Sequence, residues 1–134
     1  MIHSVDSPAL AREISRQALL KGMEAQVLIQ VNAGGEESKA GFAKEGLRQA
    51  LEDMAGLPGL RVLGLMTIGP YFDDPEDARP LFREMRDLKE EAASWAVEGV
   101  AMRHLSMGMS HDFTVAIEEG ADFVRVGTAI FGQR

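Results

Sequence analysis

The sequence predicts an α/β fold in which parallel strands are joined by helical crossovers. Three observations predict it. Apolar residues switch repeatedly along the chain between a helical and an extended repeat. The extended runs "QVLIQVN", "RVLGLMTI" and "HLSMGM" are apolar on both faces, as strands covered on two sides are. The stretches between elements are short, which is what alternating strands and helices leave. Such a unit is either an open doubly wound sheet or a piece of a barrel.

"MIHSV" reads as the tail of a strand. "SPALAREISRQALLKG" follows as a helix, with Ser7 as N-cap, Pro8 at the first helical position and Gly22 as the stop. Leu10, Ile14 and Ala18 recur at helical spacing and predict its apolar stripe. "QVLIQVN" is a strand, and "AGGEESKAG" is a loop by composition. "FAKEGLRQALEDMAG" reads as a helix with Phe42, Leu47, Leu51 and Met54 near one face. Gly46 weakens it by about 1 kcal/mol relative to Ala. "RVLGLMTI" is the next strand, closed by the turn-rich "GPYFDDPED". The longest helix is "DARPLFREMRDLKEEAASWAVEG", with Pro80 in its first turn and a core stripe of Leu81, Met85, Leu88 and Ala92. "HLSMGM" is a strand, "HDFTVAIEEG" a helix stopped by Gly120, and "DFVRVGTAIFG" a final strand leading into a short turn.

The 134 residues predict one domain, residues 1–134, with no repeat, low-complexity segment or linker. Hydrophobic content of 46% and charged content of 26% are those of a globular protein. A net charge of −7 argues against nucleic acid, whose phosphates need a Lys/Arg surface. The absence of Cys excludes disulfides and thiolate metal sites and is compatible with a reducing cytoplasm. No apolar run reaches membrane-spanning length, and "MIHSVDSPAL" lacks the pattern of a signal peptide.

In either architecture, ligands bind at the carboxyl ends of strands. Those ends carry Asn32, then Met66 and Thr67, then Ser106 to Ser110, and lastly Arg125, Gly127 and Thr128. The last two combine Gly with hydroxyls, the composition of an anion corner at a helix N-terminus. The plainer reading makes Ser110 or Asp112 a helix N-cap and Gly127 a packing residue. Arg125 interrupts an apolar strand and must be paired if buried. It is either in an ion pair with an acidic neighbour or directed into a ligand pocket. His104 and His111 lack a second ligand at metal spacing, so no metal site is expected, and His3 sits near the terminus. Met66, Met107 and Met109 are core fillers by default. Glu36, Glu37 and Lys39 form a charged surface loop in which Lys39 is the one tempting nucleophile.

The segments "IHSVDS", "VLIQVNAGGEESKAGF", "GLRVLGLMTI", "RPLFREMRDL", "HLSMGMSHDFTVAIEEGA" and "VRVGTAIFG", in this order over residues 2–132, resemble the pyridoxal-phosphate homeostasis family. The resemblance implies a TIM-type barrel of the alanine racemase kind that binds pyridoxal 5′-phosphate, without the racemases' second domain, in proteins that buffer or deliver the cofactor. It further implies that Ser106, Met107, Gly108, Gly127 and Thr128 hold the phosphate, with Ser110 as a further candidate. Arg125 resembles the arginine that approaches the pyridine nitrogen, and Asn32, Met66 and Thr67 would line the ring.

The family's Schiff-base lysine lies upstream of "IHSVDS", and Lys39 belongs to the "EESK" motif instead. The expectation is therefore a partial TIM-type (β/α) barrel of about four to five parallel strands lacking the N-terminal ones. It would be a non-enzymatic, cytoplasmic pyridoxal-phosphate carrier in which this C-terminal portion keeps the phosphate half of the site and binds the cofactor non-covalently. The partner would be a phosphate-bearing small molecule, with neither nucleic acid nor membrane, and the open strand edges predict self-association. The alternatives are a racemase-like enzyme fragment, a flavodoxin-like binding module, and a folding unit that binds nothing.

Overall fold

A computed structural model describes residues 1–37 and 39–134. Ser38, within the expected "AGGEESKAG" loop and the "EESK" motif, lies outside the described residues. The strands are β1 (Ile2–Val5), β2 (Ala25–Gln30), β3 (Leu60–Met66), β4 (Val100–Met109) and β5 (Phe123–Arg125). The helices are α1 (Pro8–Leu20), α2 (Leu47–Ala55), α3 (Arg79–Ser94), α4 (Phe113–Glu118) and α5 (Thr128–Phe131). The sheet order is β1-β2-β3-β4-β5, and every neighbouring pair is parallel.

That order never reverses, so the sheet lacks the switch point of an open doubly wound fold. Instead it curls. One face carries Val5, Val27, Ile29, Val62, Leu65, Leu105 and Met107, which pack against Ala11, Leu47, Leu51, Met54, Phe82, Met85 and Ala92 of the helices. The other face carries a small cluster built from strands alone, Leu28, Leu63 and Met66 with Ala101 and Phe123. Helices on one side and a strand-lined hollow on the other make a partial (β/α) barrel, as expected.

The pairing slips between neighbours. Ile2 faces Val27 and Val5 faces Ile29, so β1 holds one residue more than β2 over that span. Gly64 pairs with His104 where β3 and β4 approach most closely, and a Cβ at Gly64 would lie 1.9 Å from the His104 carbonyl oxygen. Only a residue without a side chain permits that approach.

Several elements differ from the sequence reading. In α1 the buried positions are Ala11, Ser15 and Ala18, while Leu10 is exposed. Ser15 is held inside because its hydroxyl donates to the Pro58 carbonyl. The expected long second helix begins only at Leu47. A 3-10 turn over Lys44–Gly46 precedes it, and Phe42 instead forms an isolated parallel bridge with Val31, just past β2. In α3 the buried stripe is Phe82, Met85, Leu88 and Ala92, and Leu81 is only partly buried. The final strand stops at Arg125, and the "TAIF" expected to continue it forms α5.

α3 and α4 are tied by charge. The Glu119 side chain, 5% exposed, accepts from Arg79, Arg83 and Arg86 at 2.9, 3.0 and 2.8 Å. Those arginines recur at helical spacing along one face of α3. The Arg79 bond leads in holding the Glu119 carboxyl below its ordinary range, against the opposing pull of burial.

Gly64→Ala should cost about 4 kcal/mol or more, because backbone must move to admit the methyl, and urea unfolding measures it. Glu119→Gln should lower the melting temperature at pH 7. Since the folded carboxyl is depressed, its contribution is complete above the ordinary value of 4.5 and fades as pH falls below it, so the two melting curves should converge in acid.

Candidate functional site

Four strand ends meet in one hydrogen-bonded group. Ser106 on β4 is fully buried, and its hydroxyl oxygen accepts from Arg125 Nη1 of β5 at 2.7 Å. Arg125 Nη2 donates to the Thr67 carbonyl, just past β3, at 2.8 Å. The Thr67 hydroxyl in turn donates to the Val31 carbonyl, just past β2, at 2.9 Å. From β1, His3 Nδ1 lies 2.9 Å from Ser106 Oγ. An arginine can only donate, which leaves the Ser106 hydroxyl proton for His3 in the tautomer whose Nδ1 carries no hydrogen.

No carboxylate forms an ion pair with Arg125 among the described residues, so of its two sequence readings the ion pair falls away. Its partners are a hydroxyl and a carbonyl, which use two of five N–H donors. Burial draws its pKa down, and the charge of Asp112 opposes that. Guanidinium still stays charged. His3 is also shifted down, first by burial, then by Arg125, the N-terminal amine and His104. A ring kept neutral in this way retains the acceptor nitrogen that the Ser106 hydroxyl needs.

A second group lies just beyond the ends of β4 and β5. Ser110 Oγ accepts from the backbone N–H of Gly127 at 3.0 Å and of Ala129 at 3.1 Å. Its own hydroxyl hydrogen has no acceptor among the described residues. Ser110 therefore caps the start of α5 across the loop and does not cap α4. Asp112 holds the N-cap position of α4 without a side-chain capping bond, and its carboxylate accepts from the Met109 N–H at 2.7 Å. A Cβ at Gly127 would meet nothing within 4 Å, so open space faces the corner at that residue.

The other sequence-named residues separate by face. Met107 is fully buried among the helices, so its side chain is turned from the hollow. Gly108 has φ +92°, and a Cβ there would come 2.5 Å from Ala116 Cβ; it is the point where α4 closes on β4. Met66 lies in the apolar cluster of the inner face. Asn32 donates to the carbonyls of Glu36 and Lys39 and holds its own loop together. Thr128 begins α5 and is exposed. The structure thus brings Thr67, Ser106 and Arg125 together, and Ser110 with Gly127, while Asn32 and Met107 serve the scaffold.

The sequence reading passed over His3, His104 and Phe123. His3 and His104 both meet the Phe123 ring edge-on, at centroid distances of 5.1 and 5.3 Å. Strand alternation misplaces His3, because the extra residue in β1 puts both Ile2 and Val5 in register with helix-facing positions of β2. His111 lies outside the group, stacked on Tyr71 at 4.9 Å.

Comparison with known proteins agrees with the fold. A protein from Aquifex aeolicus named pyridoxal phosphate homeostasis protein is 52% identical over 134 residues, covering all of this chain and 58% of that protein. The structure of PipY from Synechococcus elongatus with PLP bound superimposes with a TM-score of 0.84 at 34% identity, over 98% of this chain and 60% of that one. Alanine racemase from Corynebacterium glutamicum shares the fold, with a TM-score of 0.71 at 20% identity over 98% of this chain and 36% of its own. The chain thus spans little more than half the length of the first two of these relatives. The family model for the alanine racemase N-terminal domain matches residues 1–134, and the chain belongs to that family.

Proposed function

We propose that this chain binds pyridoxal 5′-phosphate without a covalent bond, at the carboxyl ends of β4 and β5, as part of a protein that holds and delivers the cofactor. One observation carries the reading. Arg125 is a partly buried cation whose partners among the described residues are a hydroxyl and a carbonyl, with its remaining N–H groups unspent there. An electron-rich or anionic ligand is the partner such a group lacks. The relative solved with PLP bound supports the choice of ligand.

The residues present fit the cofactor. Ser110 offers a free hydroxyl hydrogen, Gly127 leaves room for close approach, and Thr128 adds a hydroxyl and an N–H at the start of α5. These three would receive the phosphate, with Ser106 and the backbone at Met107 and Gly108 behind them. Thr67 and Met66 would border the ring, and Arg125 would meet its nitrogen. Asn32 would act only through the loop it holds. The cofactor itself supplies an aldehyde and an electron-withdrawing ring. An arginine at the ring nitrogen opposes protonation there, which weakens electron withdrawal and suits carrying better than catalysis.

Non-covalent binding follows from where the lysines lie. Lys39 pairs with Glu36 at 3.4 Å, Lys44 with Glu84, and Lys89 with Asp122 at 3.9 Å, while Lys21 follows α1. None of them bonds to the Ser106–Arg125 group. We further place the chain in the cytoplasm, with which its lack of cysteine is compatible, and assign it no nucleic-acid partner, which its charge of −7 favours. No helix among the described residues is long and apolar enough to cross a membrane. We also read the chain as the C-terminal portion of the relatives' barrel, since its late strand ends carry the phosphate-type loops.

Two features support self-association. β1 and β5 each have one unpaired edge. Beside them Ile2 is 40%, Met23 55%, Ile130 67% and Phe131 85% exposed. A twofold dimer would cover these surfaces.

Titration with pyridoxal 5′-phosphate, and separately with inorganic phosphate, should move the amide signals of Gly108, Gly127 and Thr128 most in NMR spectra. Borohydride treatment of the complex should leave no single lysine near-completely modified on peptide mapping. Shifts centred elsewhere, or stoichiometric labelling of Lys39, would refute the assignment. Sedimentation equilibrium should show a dimer that dissociates on dilution. A monomer across the whole concentration range would overturn the edge-association reading.

A further inference from the structure

We infer that His3 is a positioning residue for Arg125, acting through the Ser106 hydroxyl. The ligand part of this inference rests on the pyridoxal-phosphate reading; the relay itself exists without any ligand.

The geometry needs all three residues. Ser106 Oγ stands between His3 Nδ1 at 2.9 Å and Arg125 Nη1 at 2.7 Å. With Nδ1 unprotonated, His3 is the one acceptor for its proton among the described residues. With that bond made, the oxygen lone pairs face the guanidinium, and donation to His3 strengthens the oxygen as an acceptor. The Thr67 carbonyl holds the second Nη at 2.8 Å. Two fixed bonds on a planar fork set the direction of its remaining N–H edge. The imidazole is itself held by its edge contact with Phe123, 5.1 Å between centroids and 67° between planes. So β1 controls the orientation of a cation on β5, although the two strands do not neighbour one another in the sheet.

The surroundings make the relay sensitive to protonation. The charged or titratable groups acting on His3 are Arg125 from β5, His104 from β4 and the N-terminal amine from β1. All of these oppose a positive imidazole. Asp112, the acidic group acting on this region, acts on Arg125. Once Nδ1 is protonated it becomes a donor, and the Ser106 oxygen then faces two cations while its own proton has lost its acceptor.

The test reads Arg125 directly. In the full chain labelled with 15N-arginine, the Arg125 guanidinium should give resolved, slowly exchanging Nη signals at pH 7.5. His3→Phe keeps a ring against Phe123 and removes the acceptor; those signals should broaden or collapse. His3→Asn restores an acceptor oxygen and should restore them. In the parent chain they should respond to pH below the ordinary histidine value of 6.5, and in His3→Asn that response should be absent. Unchanged Arg125 signals in a folded His3→Phe protein, or a pH response that survives in His3→Asn, would overturn the relay. If His3→Phe does not fold, Ser106→Ala serves in its place, since it breaks the relay while leaving His3, and the pH response of Arg125 must then vanish. Pyridoxal 5′-phosphate affinity, read by fluorescence titration, should fall about tenfold in His3→Phe, the worth of one polarised hydrogen bond, and recover in His3→Asn. A parent chain that does not bind the cofactor sinks the ligand reading and leaves the Arg125 signals to judge the relay.

Discussion

The structure depends on one constraint: five parallel strands follow one another in sequence order without a reversal. Each crossover must then return on the same side of the sheet, because a right-twisted strand followed by a right-handed helix packs back in one sense only. Helices α1 to α4 consequently cover one face of the sheet, and the large apolar side chains of β1 to β4 collect there. The opposite face closes on itself, and its small apolar cluster needs only Leu28, Leu63 and Met66 with two neighbours. Curling brings β1 and β5 toward one another across the hollow, which is how His3 reaches Ser106 although β1 and β4 are not adjacent in the sheet.

The curl alone would leave the strand ends as bare backbone. What organises them is a chain of side-chain bonds from β1 through β4 and β5 to the ends of β3 and β2. Every link joins a different pair of strands: His3 to Ser106, Ser106 to Arg125, Arg125 to the Thr67 carbonyl, and the Thr67 hydroxyl to the Val31 carbonyl. No buried side-chain polar atom is left unpaired among the described residues. A network satisfied in this way is rigid, and rigidity is what a site needs if its one cation is to face a ligand in a single direction.

Much of the fold was legible in the sequence, because the βα alternation is written in periodicity and in stop signals such as Gly22 and Gly120. The misreadings have physical causes. Leu10 follows helical spacing but lies outside the strip that α1 presents to the core; Ser15 takes a buried place there because a carbonyl receives its hydroxyl. Phe42 has helical spacing to Leu47, yet it joins Val31 in a sheet contact that no local pattern encodes. In the site, Ser106, Arg125 and Gly127 were legible as polar or bare residues at the ends of apolar strands. His3 was not, since its face is decided by a register slip between β1 and β2, a property of two strands together. Met107 and Asn32 came with their motifs, and their side chains serve packing and loop closure.

The chain treats two of its enclosed charges in opposite ways, and the contrast bears on function. Glu119 is enclosed by three arginines within 3.0 Å, so its charge is saturated and the cluster joins two helices. Arg125 has the same need, since enclosing a guanidinium costs free energy unless it is paired. Yet it receives only a hydroxyl and a carbonyl, and beside it stands a histidine held neutral. A fold whose stability alone mattered could meet that cation with a carboxylate, as it does repeatedly along α3. Leaving the pairing incomplete at the carboxyl ends of the strands, where (β/α) barrels gather their ligands, keeps the remaining donors for a molecule that arrives from outside.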